Sequence, residues 1–177
     1  DQQYDFVLAR YASDGTLDPS FDGDGKVITD LGGEDYGYSV ALQADNKLVV
    51  AGYTDVGGTT DIAVVRYNSD GSLDPAFDGD GKVITDLGGE DYGYSLAIHP
   101  DNKMTIAGLT DTDSGADFAL VRLNANGSLD LSFDGDGKVS TDLGGNDRGF
   151  SLGLQSDGKL VVAGQVSFTG PYDFGLV

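Results

Sequence analysis

The sequence contains no cysteine and only one histidine among its 177 residues. Without cysteine, the chain can form neither a disulfide framework nor a thiolate metal site. It also lacks any apolar run that approaches the length of a membrane-spanning helix, so we expect no membrane insertion. The lone histidine, His99, stands where two equivalent positions carry glutamine, which argues against a catalytic role for it.

Basic side chains are scarce as well. Ten lysines and arginines face thirty acidic residues, and the formal net charge is −20. A surface of this kind repels nucleic acid and attracts cations. We therefore expect no nucleic-acid partner. The acidity is also what a purely solubilising surface would require.

One seven-residue stretch, Phe-Asp-Gly-Asp-Gly-Lys-Val, occurs three times. It begins at Phe21, Phe77 and Phe133, so that each step is 56 residues long. A fixed period of this size is typical of propellers and solenoids. Because the sequence opens and closes within a repeat, we expect a piece of a longer chain. The predicted units are repeat 1 (5–60), repeat 2 (61–116), repeat 3 (117–172) and the start of a fourth repeat (173–177).

Each repeat holds four short segments that are rich in apolar and β-branched residues and bounded by Gly, Asn, Asp or Pro. Such segments are typical of strands. The run 48–52 is continuously apolar, which predicts a strand covered on both faces. These patterns predict an all-β protein of tandem four-stranded antiparallel blades of the β-propeller type. In the second repeat the predicted strands are 61–67, 82–86, 94–99 and 103–109.

The order and spacing of these segments resemble the delta-60 repeat, a β-propeller-like repeat of bacterial secreted and surface proteins. The resemblance rests on the segment 61–74, on Phe77 with its Gly-Lys-Val, and on Lys103 with Ala107-Gly108. It implies an extracellular or cell-surface array, usually without enzymatic activity, and it assigns no catalytic residues. We accordingly expect no enzyme.

The arrangement of strands also resembles propeller repeats in which the strand 94–99 is innermost. On that register the chain begins with two outer strands of one blade and ends with the inner part of another. Three blades are too few for a ring, since propellers hold four to eight. We expect either part of a larger propeller, or two chains that share a ring, or chains that run end to end. The predicted partners are therefore other copies of the chain or neighbouring repeats of a longer one.

The repeated Phe-Asp-Gly-Asp-Gly loop is the first candidate for a ligand site. Its carboxylates alternate with glycines and could turn several oxygens toward one calcium ion. An EF-hand is excluded because Thr29 occupies the position that needs a bidentate glutamate. Alternatively, Asp and Gly serve only the turn geometry while phenylalanine fills the blade core. The predicted calcium ligands are Asp18, Asp22, Asp24, Asp74, Asp78, Asp80, Asp130, Asp134 and Asp136.

The connection that follows each outer strand supplies two further candidates. Glu34 and Asp35, with Asp30 nearby, could add ligands to a cation site. Tyrosines of the same connection could line sugar-binding pockets between blades, because their rings stack well on sugars. Carbohydrate binding is thus the alternative to a structural or interaction role, and glycans are the alternative partners. The tyrosines concerned are Tyr36, Tyr38, Tyr92 and Tyr94.

Overall fold

The structure, a computed structural model, describes residues 4–167 and the backbone of residues 173–176. The regular structure of this part is entirely β-strand, and it has no helix with the length and hydrophobicity needed to cross a membrane. The end of the third predicted repeat, 168–172, and Val177 lie outside the described residues. The strands are β1 (Phe6–Ala9), β2 (Lys26–Thr29), β3 (Asp35–Leu42), β4 (Leu48–Thr54), β5 (Asp61–Tyr67), β6 (Lys82–Thr85), β7 (Glu90–Ile98), β8 (Met104–Thr112), β9 (Gly115–Leu123), β10 (Lys138–Thr141), β11 (Asn146–Leu154), β12 (Leu160–Ser167) and β13 (Asp173–Leu176).

These strands form four antiparallel sheets in which consecutive strands pair. The first sheet holds β1 and β2, the second sheet β3 to β6, the third sheet β7 to β10, and the fourth sheet β11 to β13. The expected all-β architecture of four-stranded blades is confirmed. So is the expected register, because the chain opens with the third and fourth strands of a blade and each complete sheet begins with the strand predicted to be innermost.

The first strand of the third sheet, β7, is longer than the sequence predicts. β7 begins at Glu90, four residues before the expected start at Tyr94. The glycine that precedes Tyr94 was expected to end the preceding loop. Instead it lies inside the strand, where the pairing with β8 shifts register between Gly93 and Ser95. A bulge of this kind keeps the strand paired while glycine accommodates the local change of backbone direction.

Tight turns join β3 to β4, β7 to β8 and β11 to β12. Asn46 and Asn102 adopt positive φ angles of 66° and 62°, and Gly158 occupies the equivalent place with φ 84°. The amide of Asn46 donates to the carbonyl of Gln43 over 3.0 Å, which closes the turn. Asparagine and glycine tolerate this left-handed conformation better than other residues do.

The second strand of a complete sheet is buried on both faces. Val49 and Ala51 of β4 are fully buried and share a core cluster with Leu96 of the third sheet. Val50 points the other way and joins the cluster of Phe6 in the first sheet. The continuous apolar run of this strand therefore packs between two neighbouring blades, as its sequence predicts.

Glycine pairs allow the first and second strands to approach closely. Gly93 lies opposite Gly108, and a Cβ atom on Gly108 would overlap the carbonyl oxygen of Tyr92. We expect Gly108→Ala to lower the free energy of unfolding by more than about 2 kcal/mol, because the overlapping atom is backbone and cannot move aside. Urea denaturation measures this loss.

Gly153→Ala is the matched control for this substitution. Gly153 also lies in a first strand, but a Cβ there would meet its nearest atom, the carbonyl oxygen of Val161, at 3.8 Å. We expect a change within about 0.5 kcal/mol. Equal losses for the two substitutions would contradict the steric explanation.

Candidate cation clusters and interaction surfaces

The predicted calcium loop is built around an ion pair. Arg66 Nε donates to Asp74 Oδ2 over 2.7 Å, and the guanidinium lies 4.7 Å from the centre of the Phe77 ring. The other Asp74 oxygen accepts the amide of Ala76. The same pairing recurs in the other repeats as Arg10 with Asp18 at 2.9 Å and Arg122 with Asp130 at 2.7 Å. These three aspartates therefore have an arginine as their counter-charge.

The remaining loop aspartates serve the turn itself. Asp22, Asp78 and Asp134 take positive φ angles of 51°, 50° and 51°. Three further residues each accept the amide two positions ahead over 2.9 Å, namely Asp24, Asp80 and Asp136. Phe21 and Phe77 are fully buried. The structure thus gives the loop the turn and core roles named as the alternative, and calcium binding by its nine aspartates stays a prediction.

A lysine from the neighbouring turn reinforces the ion pair. Lys103 Nζ donates to Asp130 Oδ2 over 2.9 Å. This bond is the main reason why the pKa of Asp130 lies well below its usual range, with hydrogen bonds from Ser132 and the charge of Arg122 adding to it. Lys47 approaches Asp74 Oδ2 in the same way at 2.9 Å.

We expect Lys103→Met to lower the free energy of unfolding at pH 7 by about 1.5 kcal/mol, because it removes a charged hydrogen bond. Since the pKa of Asp130 is lowered in the folded protein, its contribution is complete above the ordinary carboxyl pKa of 3.8 and is lost as the pH falls. The difference in the free energy of unfolding between wild type and variant should therefore stay constant from pH 7 to about pH 4 and narrow as the pH falls further, to about pH 2. Urea denaturation across this range measures it.

Lys159→Met is the control, because Lys159 occupies the equivalent turn but pairs with its own neighbour Asp157 in an exposed position. We expect no measurable loss of stability from this change. A difference between wild type and Lys103→Met that stayed constant down to about pH 2 would argue against the role of the Asp130 carboxylate.

Three clusters of carboxylates lie away from the predicted loop, at the connections between sheets. In each cluster, one oxygen from every residue lies within 4.8 Å of the others. The clusters consist of Asp5, Asp30 and Asp35 (cluster 1), Asp61, Asp86 and Asp91 (cluster 2), and Asp117, Asp142 and Asp147 (cluster 3). Acidic groups so close together could hold a metal ion.

The topology explains why these aspartates meet. In cluster 2, Asp61 opens β5, Asp86 follows β6, and Asp91 lies near the start of β7 in the next sheet. The amide of Leu87 donates to Asp91 Oδ2 over 2.5 Å, and the amide of Gly88 donates to Asp86 Oδ1 over 2.5 Å. The connection between two blades therefore folds around its own carboxylates.

Some of these carboxylates are buried, which is unusual for acidic side chains. Asp61 is 7% exposed and its Oδ1 has no hydrogen-bond partner among the described residues. Burial, together with the charges of Asp86, Asp91 and Glu90, raises the pKa of Asp61 to about 6. Asp147 is completely buried, and its Oδ1 likewise has no partner in the described part of the chain.

The clusters differ in what surrounds them. Thr54 donates its hydroxyl to Asp35 in cluster 1. In cluster 3 the residue paired with Asp147 is Val166, which has no hydroxyl to donate. Lysine ammonium groups also bind the backbone carbonyls of cluster 1 and cluster 2, from Lys82 to Asp30 over 2.8 Å and from Lys138 to Asp86 over 2.6 Å.

Sequence reasoning named two members of cluster 1 and missed the third. Asp30 and Asp35 were considered as additional ligands, but only beside the loop that follows Asp18. The missed residue is the aspartate that opens each repeat, at Asp5 and Asp61 in the first two. The sequence did contain a sign that this aspartate matters: the position is acidic in every repeat although a strongly apolar strand follows it.

The second surface feature is an uncovered apolar face beside the first sheet. Val40 of β3 is 61% exposed, whereas Leu96, its equivalent in β7, is 9% exposed. Leu42 and Val7 of the same face are also exposed. We call this face the N-terminal slot. It lies where the first two strands of a complete blade would stand before β1.

The third feature is a line of aromatic rings along the first strands. Tyr38 lies 5.3 Å from Tyr94, and Tyr94 lies 5.5 Å from Phe150, measured between ring centroids. Tyr53 packs between Tyr36 and Tyr38, at 5.0 and 5.4 Å. Most of these rings bury one another at the junctions of the sheets. Tyr38 and Phe150 remain about half exposed.

The fold and the repeated junctions define an all-β protein built from propeller blades. Comparison with protein families agrees: the chain matches the family described as the beta-propeller domain of unknown function DUF5122 over residues 1–21, 43–77, 99–133 and 155–177. These ranges cover more than half of the chain, and the protein belongs to this family. The match confirms the expected propeller repeat, while the narrower delta-60 assignment stays a prediction. No curated protein matches the chain.

Proposed function

We propose that this protein is a non-enzymatic structural and interaction module that acts by head-to-tail association with further copies of itself. The observation that supports the proposal is the N-terminal slot. A valine that is 61% exposed in the first complete sheet corresponds to a leucine that is 9% exposed in the next. The difference arises because the third sheet packs against a complete preceding sheet, whereas the second sheet is preceded by only two strands.

The interior of the protein indicates which partner would fit the slot. Leu96 is covered from the second sheet by the cluster that contains Val49 and Ala51 of β4. The six residues Lys47–Gly52 recur without change at Lys159–Gly164, which comprise the first five residues of β12 and the lysine before it. In β12 the residues equivalent to Val49 and Ala51 are only partly buried. One end of the chain thus carries the strand that the other end requires.

The proposed contact completes a four-stranded blade across two copies. β11 and β12 of one copy would extend the first sheet of the next, with β12 paired to β1. In the chain itself, β13 occupies the corresponding edge of β12, since Asp173–Leu176 is the repeat equivalent of the residues around β1. Association therefore requires β1 of the second copy to replace β13. Two copies would together bring six blades, within the range of closed propellers.

We expect Val40→Asp to weaken self-association at least tenfold, because it places an unpaired charge in the apolar contact. A chain ended after Ser167 should associate at lower concentration, since it lacks the competing β13. Light scattering coupled to size-exclusion chromatography over a concentration series measures both effects.

Ile84→Asp is the control, because Ile84 is exposed on the outer strand of the second sheet and lies outside the slot. It should associate like the wild type. Monomers at every concentration, in the full chain and after removal of β13, would overturn the proposal and leave the slot to residues of a longer chain. Association that survives Val40→Asp would place the contact elsewhere.

We further propose that the module works at the cell surface or outside the cell. The resemblance to secreted and surface repeats supports this location, as does the strong negative charge, which opposes adsorption to nucleic acid and anionic membranes. The absence of any catalytic constellation from the repeated pattern is the basis for proposing a non-enzymatic role.

Carbohydrate binding is the second candidate function, and the half-exposed rings of Tyr38 and Phe150 beside Tyr94 favour it. On this candidate, a glycan array would show binding that Tyr38→Ala abolishes, because the sugar loses the ring on which it stacks. Tyr11→Ala is the control, since Tyr11 is exposed but lies outside the aromatic line. An array without binding, or equal loss from both substitutions, would remove this candidate.

A further inference from the structure

We propose that the carboxylate clusters at the blade junctions are binding sites for a divalent cation that prefers oxygen ligands, with cluster 3 the tightest. The inference is independent of self-association and concerns residues other than the nine predicted in the loop. Its basis is the convergence of three carboxylates at each junction together with buried carboxylate oxygens that have no partner.

The spacing of the oxygens fits one ion. Calcium binds oxygen at 2.3–2.6 Å, so two oxygens on the same ion lie within about 5 Å of one another. In every cluster the three oxygens lie within 4.8 Å of each other. Three carboxylates at this separation repel one another strongly, and a cation between them removes the repulsion.

The unpartnered oxygens are the independent observation. Burial of a carboxylate oxygen without a donor is costly, and proteins normally avoid it. Among the described residues, six buried side-chain atoms lack a hydrogen-bond partner, and they include Oδ1 of Asp5, Asp61 and Asp147. Asp61 and Asp147 are more than nine-tenths buried. With Oδ1 of Asp91, four of these six atoms belong to carboxylates that converge at the junctions.

The surroundings of the clusters predict their order of affinity. Lys82 and Lys138 bring a positive charge to clusters 1 and 2 through the carbonyls of Asp30 and Asp86. Within the described residues, no lysine donates to Asp142 in cluster 3. Val166 also leaves Asp147 without the hydroxyl that Thr54 supplies to Asp35. Ser140 in turn donates its hydroxyl to Asp117 over 3.2 Å in cluster 3, so hydroxyl donors do not distinguish the clusters. The lysine charge does, and cluster 3 therefore gains the most from a cation.

The test compares two double variants of the full chain after removal of metal by a chelator. The cluster variant, Asp86→Asn with Asp142→Asn, removes one exposed carboxylate from each of clusters 2 and 3. The loop variant, Asp80→Asn with Asp136→Asn, removes one carboxylate from each of two predicted calcium loops. All four aspartates accept a backbone amide two residues ahead, which an asparagine oxygen can also accept. The two variants are thus matched in charge and in turn geometry.

Calorimetric titration with CaCl2 and with MgCl2, at constant ionic strength, provides the first readout, and thermal unfolding provides the second. We expect saturable calcium binding and a rise in Tm for the wild type and for the loop variant. The cluster variant should bind at least tenfold more weakly at clusters 2 and 3, keep the binding event of the unaltered cluster 1, and show a smaller rise in Tm than the wild type. Asp142→Asn alone should remove the tightest binding event.

Each remaining result would overturn the proposal. Absence of saturable binding by the wild type would show that the clusters hold no divalent cation. Equal weakening in both variants would indicate diffuse attraction to an acidic surface. A loss confined to the loop variant would assign calcium to the predicted loop aspartates instead. Circular dichroism of the metal-free variants verifies that each is folded before the titrations are compared.

Discussion

The packing of each second strand between two blades is the contact on which the rest of the structure depends. Val49 and Ala51 face the third sheet while Val50 faces the first, so one strand contributes to two core clusters. The glycine opposite the bulge lets this strand lie against the first strand without a steric clash. Burial on both faces favours apolar residues in the strand, and charged groups concentrate in the turns and junctions instead.

The same arrangement explains why acidic residues accumulate where the sheets meet. A chain that leaves the outer strand of one blade must return to the innermost strand of the next, and this connection exposes backbone amides. Asp91 and Asp147 satisfy such amides through Oδ2, at Leu87 and Leu143. The aspartate that opens the third strand then completes a group of three. Structural need thereby places negative charges side by side, which is the physical setting of a cation site.

Much of this architecture could be predicted from the printed residues. The positions of the strands, the turns at Asn46 and Asn102, and the burial of the run 48–52 followed from short-range patterns, because strand and turn preferences act over a few residues. The order of the strands followed from the resemblance to propeller repeats. The bulge at Gly93 could not be recognised, since a glycine before a strand has the same appearance as the end of a loop. The sequence patterns assigned Asp74 to a calcium loop, and its pairing with Arg66 became visible only in the structure.

The sequence by itself determined the repeat, the class of fold and the acidic character of the protein. It also placed an aspartate at the start of each repeat. Only the tertiary structure decided that Asp61, Asp86 and Asp91 meet, because they come from two strands and a connection in two different sheets. It likewise decided that Val40 is exposed while Leu96 is buried. Equivalent residues in near-identical repeats differ in this way because burial depends on the neighbouring blade and not on the residue itself.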